Sequence, residues 1–161
     1  MKTWKVGKTA KISGLTELRK KGETVEIPYI GEEKQRERML ADKFICDLLG
    51  VELVEVGVGT ARAELTVRPE HMNGVGVCQG GVLFSIADFA FAAACNYAEE
   101  PVIGIEVSIS YCKTVKTGKI VAEATEISRT RTTALAEVRV TDEAGTLLCV
   151  ARGRGYVLQA R

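Results

Sequence analysis

The sequence predicts an α+β domain in which an antiparallel sheet wraps around one long helix. Three observations lead there. The segment 80–98, GGVLFSIADFAFAAACNYA, is apolar nearly all round, and its only polar side chains are Ser85, Asp88 and Asn96. Two strand-like runs precede it and four follow it. The four late runs are joined by short connections, which implies an antiparallel meander. One face of such a sheet must be covered, and the 80–98 helix is the apolar element suited to it.

Each element has its own signal. Residues 1–40 are charge-rich and hold the one tryptophan, Trp4. SGLTELRKKG (13–22) opens on a serine cap and closes on glycine, which predicts a short helix. GEEKQRERMLADKFICDLLG (31–50) predicts a helix, acidic early and basic later, with Phe44, Leu48 and Leu49 as an apolar stripe and Gly50 as its stop. We read residues 1–40 as an N-terminal extension that packs on the domain or on a partner chain, and 41–161 as the domain itself. VELVEVGVG and TARAELTVRP form a hairpin around Gly57–Gly59, with Ala61, Ala63, Leu65 and Val67 on one face. Run 102–113 sets Ile103, Ile105, Val107, Ile109 and Tyr111 against Gly104, Glu106, Ser108 and Ser110. Runs 118–128, 134–142 and 146–158 follow, with turns at 116–118 and 142–145 and a link at 129–133.

Composition narrows the function. With 161 residues, one domain with a sizeable core is expected. A net charge of +1 offers no general attraction to nucleic acid or to an anionic membrane. No apolar run reaches the ~18 residues of a membrane span, and the start lacks a signal-peptide core. Five widely spaced cysteines without a CxxC read as reduced thiols, which predicts a cytoplasmic protein without a thiolate metal site.

Asp88 is the anomaly. A carboxylate on an otherwise apolar helix costs several kcal/mol unless paired or neutralised. No Lys or Arg stands three or four residues away on that helix. Such a group is a candidate working residue. At the start of the same helix, Gly80 and Gly81 allow close approach to backbone N–H donors, which suits an oxyanion hole. Eight positions separate Gly80 from Asp88, about 12 Å along a helix at ~1.5 Å per residue. Both can serve one carbonyl only if they come from two subunits across a two-fold interface.

These blocks resemble the hotdog-fold acyl-CoA thioesterases of the PaaI-like (phenylacetic-acid-pathway) branch. The resemblance covers roughly 42–158 and rests on DKFICDLLGVELVEVGVGTARAELTV, PEHMNG, CQGGVLFSIADFAFAAACN, SISYCKTVKTGKIVAEA and VTDEAGTLLCVARGRGYVL. It implies a hotdog fold and a homo-oligomer, a dimer or a homotetrameric dimer of dimers, with active sites shared between subunits. Asp88 resembles the carboxylate that attacks the thioester or activates water, the Gly80 N–H the oxyanion donor, and Asn73 the side chain that positions water or the acyl group. Where the family has His before the first glycine, this chain has Gln79, which donates and accepts but does not titrate.

Other residues complete the expectations. Gly81, Val82 and Phe84 are candidate substrate contacts. Arg129, Arg131, Lys113 and Lys116, in or near strand ends, are candidates for the phosphates of coenzyme A. His71 lies seven positions from Cys78, so a Cys–His nucleophile is the competing arrangement; Cys78 reads rather as a small packed residue. GVGVCQGG is not followed by a P-loop Lys. The expected activity is hydrolysis of an aryl- or medium-chain acyl-CoA without metal or organic cofactor. The alternative is a non-catalytic acyl-CoA-binding module.

Overall fold

The computed structural model describes residues 27–159, so the helix expected at 13–22 lies outside the described residues. Strands β1 (Glu52–Gly57), β2 (Thr60–Thr66), β3 (Val102–Tyr111), β4 (Lys119–Arg129), β5 (Thr133–Asp142) and β6 (Leu147–Val157) form one antiparallel sheet in the order β1-β2-β4-β5-β6-β3. Helix α1 spans Glu32–Leu40 and helix α2 spans Gly80–Cys95. The sheet wraps around α2, which packs against all six strands. The α+β architecture is the expected one. Among the described residues, no helix is long and apolar enough to cross a membrane.

The period-two pattern of β2 translates directly: Ala61, Ala63 and Leu65 are buried against α2 while Arg62 and Glu64 meet Lys119 and Glu123 on the outer face. The β1–β2 hairpin turns at Gly59, whose φ of 71° suits glycine. Along β6, Gly153 and Gly155 leave a slot for the Phe91 ring. A Cβ on Gly153 would stand 2.6 Å from that ring.

The structure corrects the meander. Only β4, β5 and β6 follow one another; β3 pairs with β6 at the far edge. Residues 112–118 therefore form a crossover, not a hairpin turn. The link passes two strands, three spacings of about 4.8 Å, within reach of seven residues at about 3.3 Å each. It is tied down on the way: Cys112 N donates to Leu148 O, Cys78 N to Val115 O and Val67 N to Gly118 O. Strand β3 also carries a bulge between Gly104 and Glu106. The extra residue breaks the expected single face. Ile103 and Ile105 stay exposed, at 49% and 56%, whereas Val107 and Ile109 pack on the core.

The helix expected over 31–50 is interrupted. After α1 the chain breaks at Asp42, and Phe44–Leu49 form a wide π-helical turn closed by Gly50 at φ 75°. Asp42 accounts for the break: its Oδ1 accepts the Ile45 N–H at 3.1 Å and caps the new turn. The apolar stripe rotates with it, so Ile45 is buried and Phe44 and Leu48 are exposed. Helix α1 itself docks on the domain. Gln35 is fully buried and donates to Ala93 O and Gly57 O, while Arg36 donates to Leu53 O and Val54 O.

Candidate active site

Helix α2 begins at a crowded corner. Gln79 is its N-cap, and the Gln79 Oε1 accepts the Gly81 N–H. Of the two glycine donors expected for an oxyanion hole, Gly81 is therefore engaged. The Gly80 N–H makes no hydrogen bond among the described residues. The Tyr111 hydroxyl donates to Gly80 O at 2.9 Å, and its ring covers Gly80 so closely that a Cβ there would stand 3.2 Å away. Glycine is thus needed for the close approach of β3 to the helix start.

Asn73 stands in the loop before the helix. Its Oδ1 accepts from Val75 N and Val77 N at 3.0 and 3.2 Å, which fixes the loop and leaves the Nδ2 as the group open to a ligand. Asn73, Gly80, Tyr111 and Lys113 share a cavity of about 500 Å³.

Asp88 opens elsewhere. Two turns further along α2, one stripe of the helix, Phe84, Ser85, Asp88 and Ala92, is only half-buried. Although this helix is apolar nearly all round, it is not covered on every side. The sheet covers most of its circumference and leaves one face to a cavity of about 380 Å³, lined by Asp42, Phe44, Phe84, Ser85, Asp88 and Phe89 among others. Burial raises the Asp88 carboxyl above its ordinary 3.8, and the negative charge of Asp42 adds to the rise. Asp88 also lies beside the edge strand: a Cβ on Gly104 of β3 would stand 4.0 Å from its Oδ1. The two cavities have no lining residue in common.

Two further expectations meet a different placement, those for Val82 and Arg129. Val82 belongs to the buried core and not to the open stripe. Arg129 is 2% exposed, bonded to Glu126 Oε2 at 3.0 Å and to Cys95 O at 2.8 Å, and stacked over the Tyr97 ring. No phosphate reaches a guanidinium held that way. Arg131 is exposed and donates to Gln159. Pattern reading missed Tyr111 and Asp42. Each had a signal: a tyrosine closing an otherwise aliphatic strand face, and an Asp three residues before an Ile that a helix break could cap.

His71 is structural. It is 2% exposed, and its Nδ1 accepts the Arg68 N–H at 3.1 Å. Burial, and then the Arg68 charge, hold its pKa below 6.5. Cys78 is buried, with its thiol pushed up by that burial and its Sγ on Gln79 O, so a Cys–His nucleophile has no support. A depressed folded-state pKa favours the neutral imidazole, so its stability contribution is full above the unfolded value and lost as pH falls through the folded one. Thermal midpoints taken between pH 8 and 5 are expected to drop below about pH 6.5. His71→Asn, which keeps an acceptor without the titration, is expected to flatten that drop; an unchanged profile would refute the assignment.

A sheet wound around one helix, with a glycine-started N-terminus facing one cavity and a carboxylate facing another, defines a hotdog domain. Residues 75–149 match the family described as Thioesterase superfamily. A protein of Archaeoglobus fulgidus whose name proposes it as an esterase is 38% identical over 77% of this chain and 81% of its own length. The 1,4-dihydroxy-2-naphthoyl-CoA hydrolase of Listeria monocytogenes is 29% identical over 66% of this chain and 89% of its own. In structure, a variant of the phenylacetic acid degradation protein PaaI from Thermus thermophilus superposes with a TM-score of 0.68 at 30% identity, covering 71% of this chain and 98% of that one. This chain belongs to the thioesterase superfamily.

Proposed function

We propose that this member of the thioesterase superfamily hydrolyses acyl-CoA thioesters in a homo-oligomer whose active sites are shared between subunits. One observation carries the reading. The carboxylate and the free helix-start N–H lie on one rigid helix, facing cavities that share no residue. A carbonyl carbon held between them needs Asp88 from one subunit and Asn73 with Gly80 from another. Strand β3 supports the geometry. It is an edge strand beside both half-sites, with exposed Ile103 and Ile105, the kind of surface a second copy covers. The dimer is the unit this site requires, and a dimer of dimers carries four such sites.

The chemistry then runs in two strokes. The Asp88 carboxylate takes a proton from water as the water oxygen bonds to the thioester carbon. The Gly80 N–H, at the positive end of α2, stabilises the oxyanion that forms. The Asn73 Nδ2 orients the water. Collapse of the intermediate breaks the C–S bond, and the proton passes to the departing coenzyme A thiolate. Phe84 faces the acyl group, and the aromatic cavity favours an aryl or medium-length chain; the name of the Listeria relative, a naphthoyl-CoA hydrolase, supports the aryl choice. With Arg129 buried, Lys113 and Arg131, both exposed, remain as phosphate contacts, Lys113 from the rim of the Asn73 cavity. Five unpaired cysteines support cytoplasmic residence.

The Gln79 cap favours a second reading, an acyl-CoA binder with little turnover, because it occupies the Gly81 donor. Thiol release from a panel of acyl-CoAs separates the two. Turnover by the native protein supports the enzyme; tight binding without turnover, rescued by Gln79→His, supports the binder. The shared site has its own test. Asp88→Asn and Asn73→Ala are each expected to be impaired. Subunit exchange between them should recover about a quarter of native activity, from one intact site in half of the dimers. Dimers that exchange and stay inactive, or a fully active monomer, would refute sharing.

A further inference from the structure

We propose that Asp42 is a specificity-determining residue that admits uncharged acyl groups and repels anionic ones. The inference rests on the reading of the Asp88 cavity as the acyl end of a thioesterase site. At about 380 Å³ that cavity is at the small end of ligand pockets, sized for an acyl group and not for a nucleotide. Its walls are apolar and aromatic, Phe44, Phe84 and Phe89 foremost, and suit a hydrocarbon chain or ring. Set into these walls are two carboxylates, Asp42 and Asp88, and no Lys or Arg lines the space. Among the described residues Asp42 forms no ion pair.

Asp42 is also held in place. Its Oδ1 caps the π-helical turn through the Ile45 N–H, and its carbonyl accepts the Cys46 N–H at 2.9 Å. The charge therefore does not swing away when a ligand arrives. If Asp88 is the hydrolytic group, its charge is indispensable, whereas that of Asp42, besides adding to the rise of the Asp88 carboxyl, serves the choice of substrate. An acyl chain ending in its own carboxylate meets a fixed like charge; a plain chain of the same length meets only apolar walls. Asp42 is exposed, so water screens it, and two such charges at about 4 Å repel by an amount worth roughly fivefold in affinity.

Hexanoyl-CoA and adipoyl-CoA, equal in carbon number, make the matched pair. The native protein is expected to prefer hexanoyl-CoA in kcat/KM by roughly fivefold or more. Asp42→Asn keeps a capping acceptor for Ile45 and removes the charge. It should cut that ratio by most of its value, and Asp42→Lys should invert it, with thermal melting confirming that both variants fold. An unchanged ratio in folded Asp42→Asn, or a native preference for adipoyl-CoA, overturns the proposal. If the native protein hydrolyses neither of these nor any other thioester of the acyl-CoA panel, the thioesterase reading falls instead. The same ratio, taken from the dissociation constants of the two thioesters, then decides the charge filter on its own.

Discussion

Asp88→Asn is expected to lower kcat for acyl-CoA hydrolysis by roughly 10²–10⁴-fold while KM changes far less. The substitution is nearly isosteric, on a helix whose remaining faces are packed against six strands, so the fold should persist. What it removes is the one group on the open stripe of α2 able to take a proton from water. Burial and the Asp42 charge raise the Asp88 carboxyl above 3.8, which brings its basicity closer to neutral pH, where a general base works best. The sign of the pH dependence follows. The ionised form is the active one, so activity should fall as pH drops through the raised pKa, and the acid limb of kcat/KM should sit above the ordinary carboxylate position. Thiol release across pH, for the native protein and the Asn variant, reads both effects. Turnover undiminished in the variant would remove Asp88 from the mechanism.

Arg129→Met is expected to cost about 3–5 kcal/mol of stability, through a different part of the molecule. Arg129 and Glu126 form a buried ion pair, with side chains 2% and 0% exposed. Glu126 also accepts from the Tyr97 hydroxyl at 3.0 Å, and Arg129 donates to the Cys95 carbonyl at the C-terminus of α2. Removing the guanidinium leaves a carboxylate buried without its cation and strips a partner from the helix end. Chemical denaturation should show the loss, with a thermal midpoint lower by roughly 10 °C or more. The double variant Glu126→Leu/Arg129→Met should lose less than the single one, because no unpaired charge remains. A single variant as stable as the native protein would show that the pair contributes nothing.

Arg129 also shows why part of this molecule was hidden from pattern reading. Strict alternation along β4 sends residues 126 and 129 to opposite faces. A bulge between Glu126 and Ser128 inserts one residue, and both charges turn inward. A bulge in β3 likewise splits the face expected from Ile103 to Tyr111. Both shifts depend on the partner strand. The break at Asp42 has the same character: the apolar residues of 44–49 suit a continued helix, and packing of Ile45 on the core selects the turn instead.

The sequence by itself determined the buried helix, the strands, the glycine-rich helix start and the isolated carboxylate at Asp88. Each is a local property, written in side-chain period and in residue types that fit few backbone conformations. Tertiary structure alone decided that β3 takes the far edge beside β6, that Arg129 pairs with Glu126 in the core, that Gln79 caps Gly81, and that Asp42 meets Asp88 across one cavity. The physical reason is common to all four. Period tells a segment which side to bury, but its partner is chosen by packing and hydrogen bonds among residues far apart in the chain, which no local window of sequence contains.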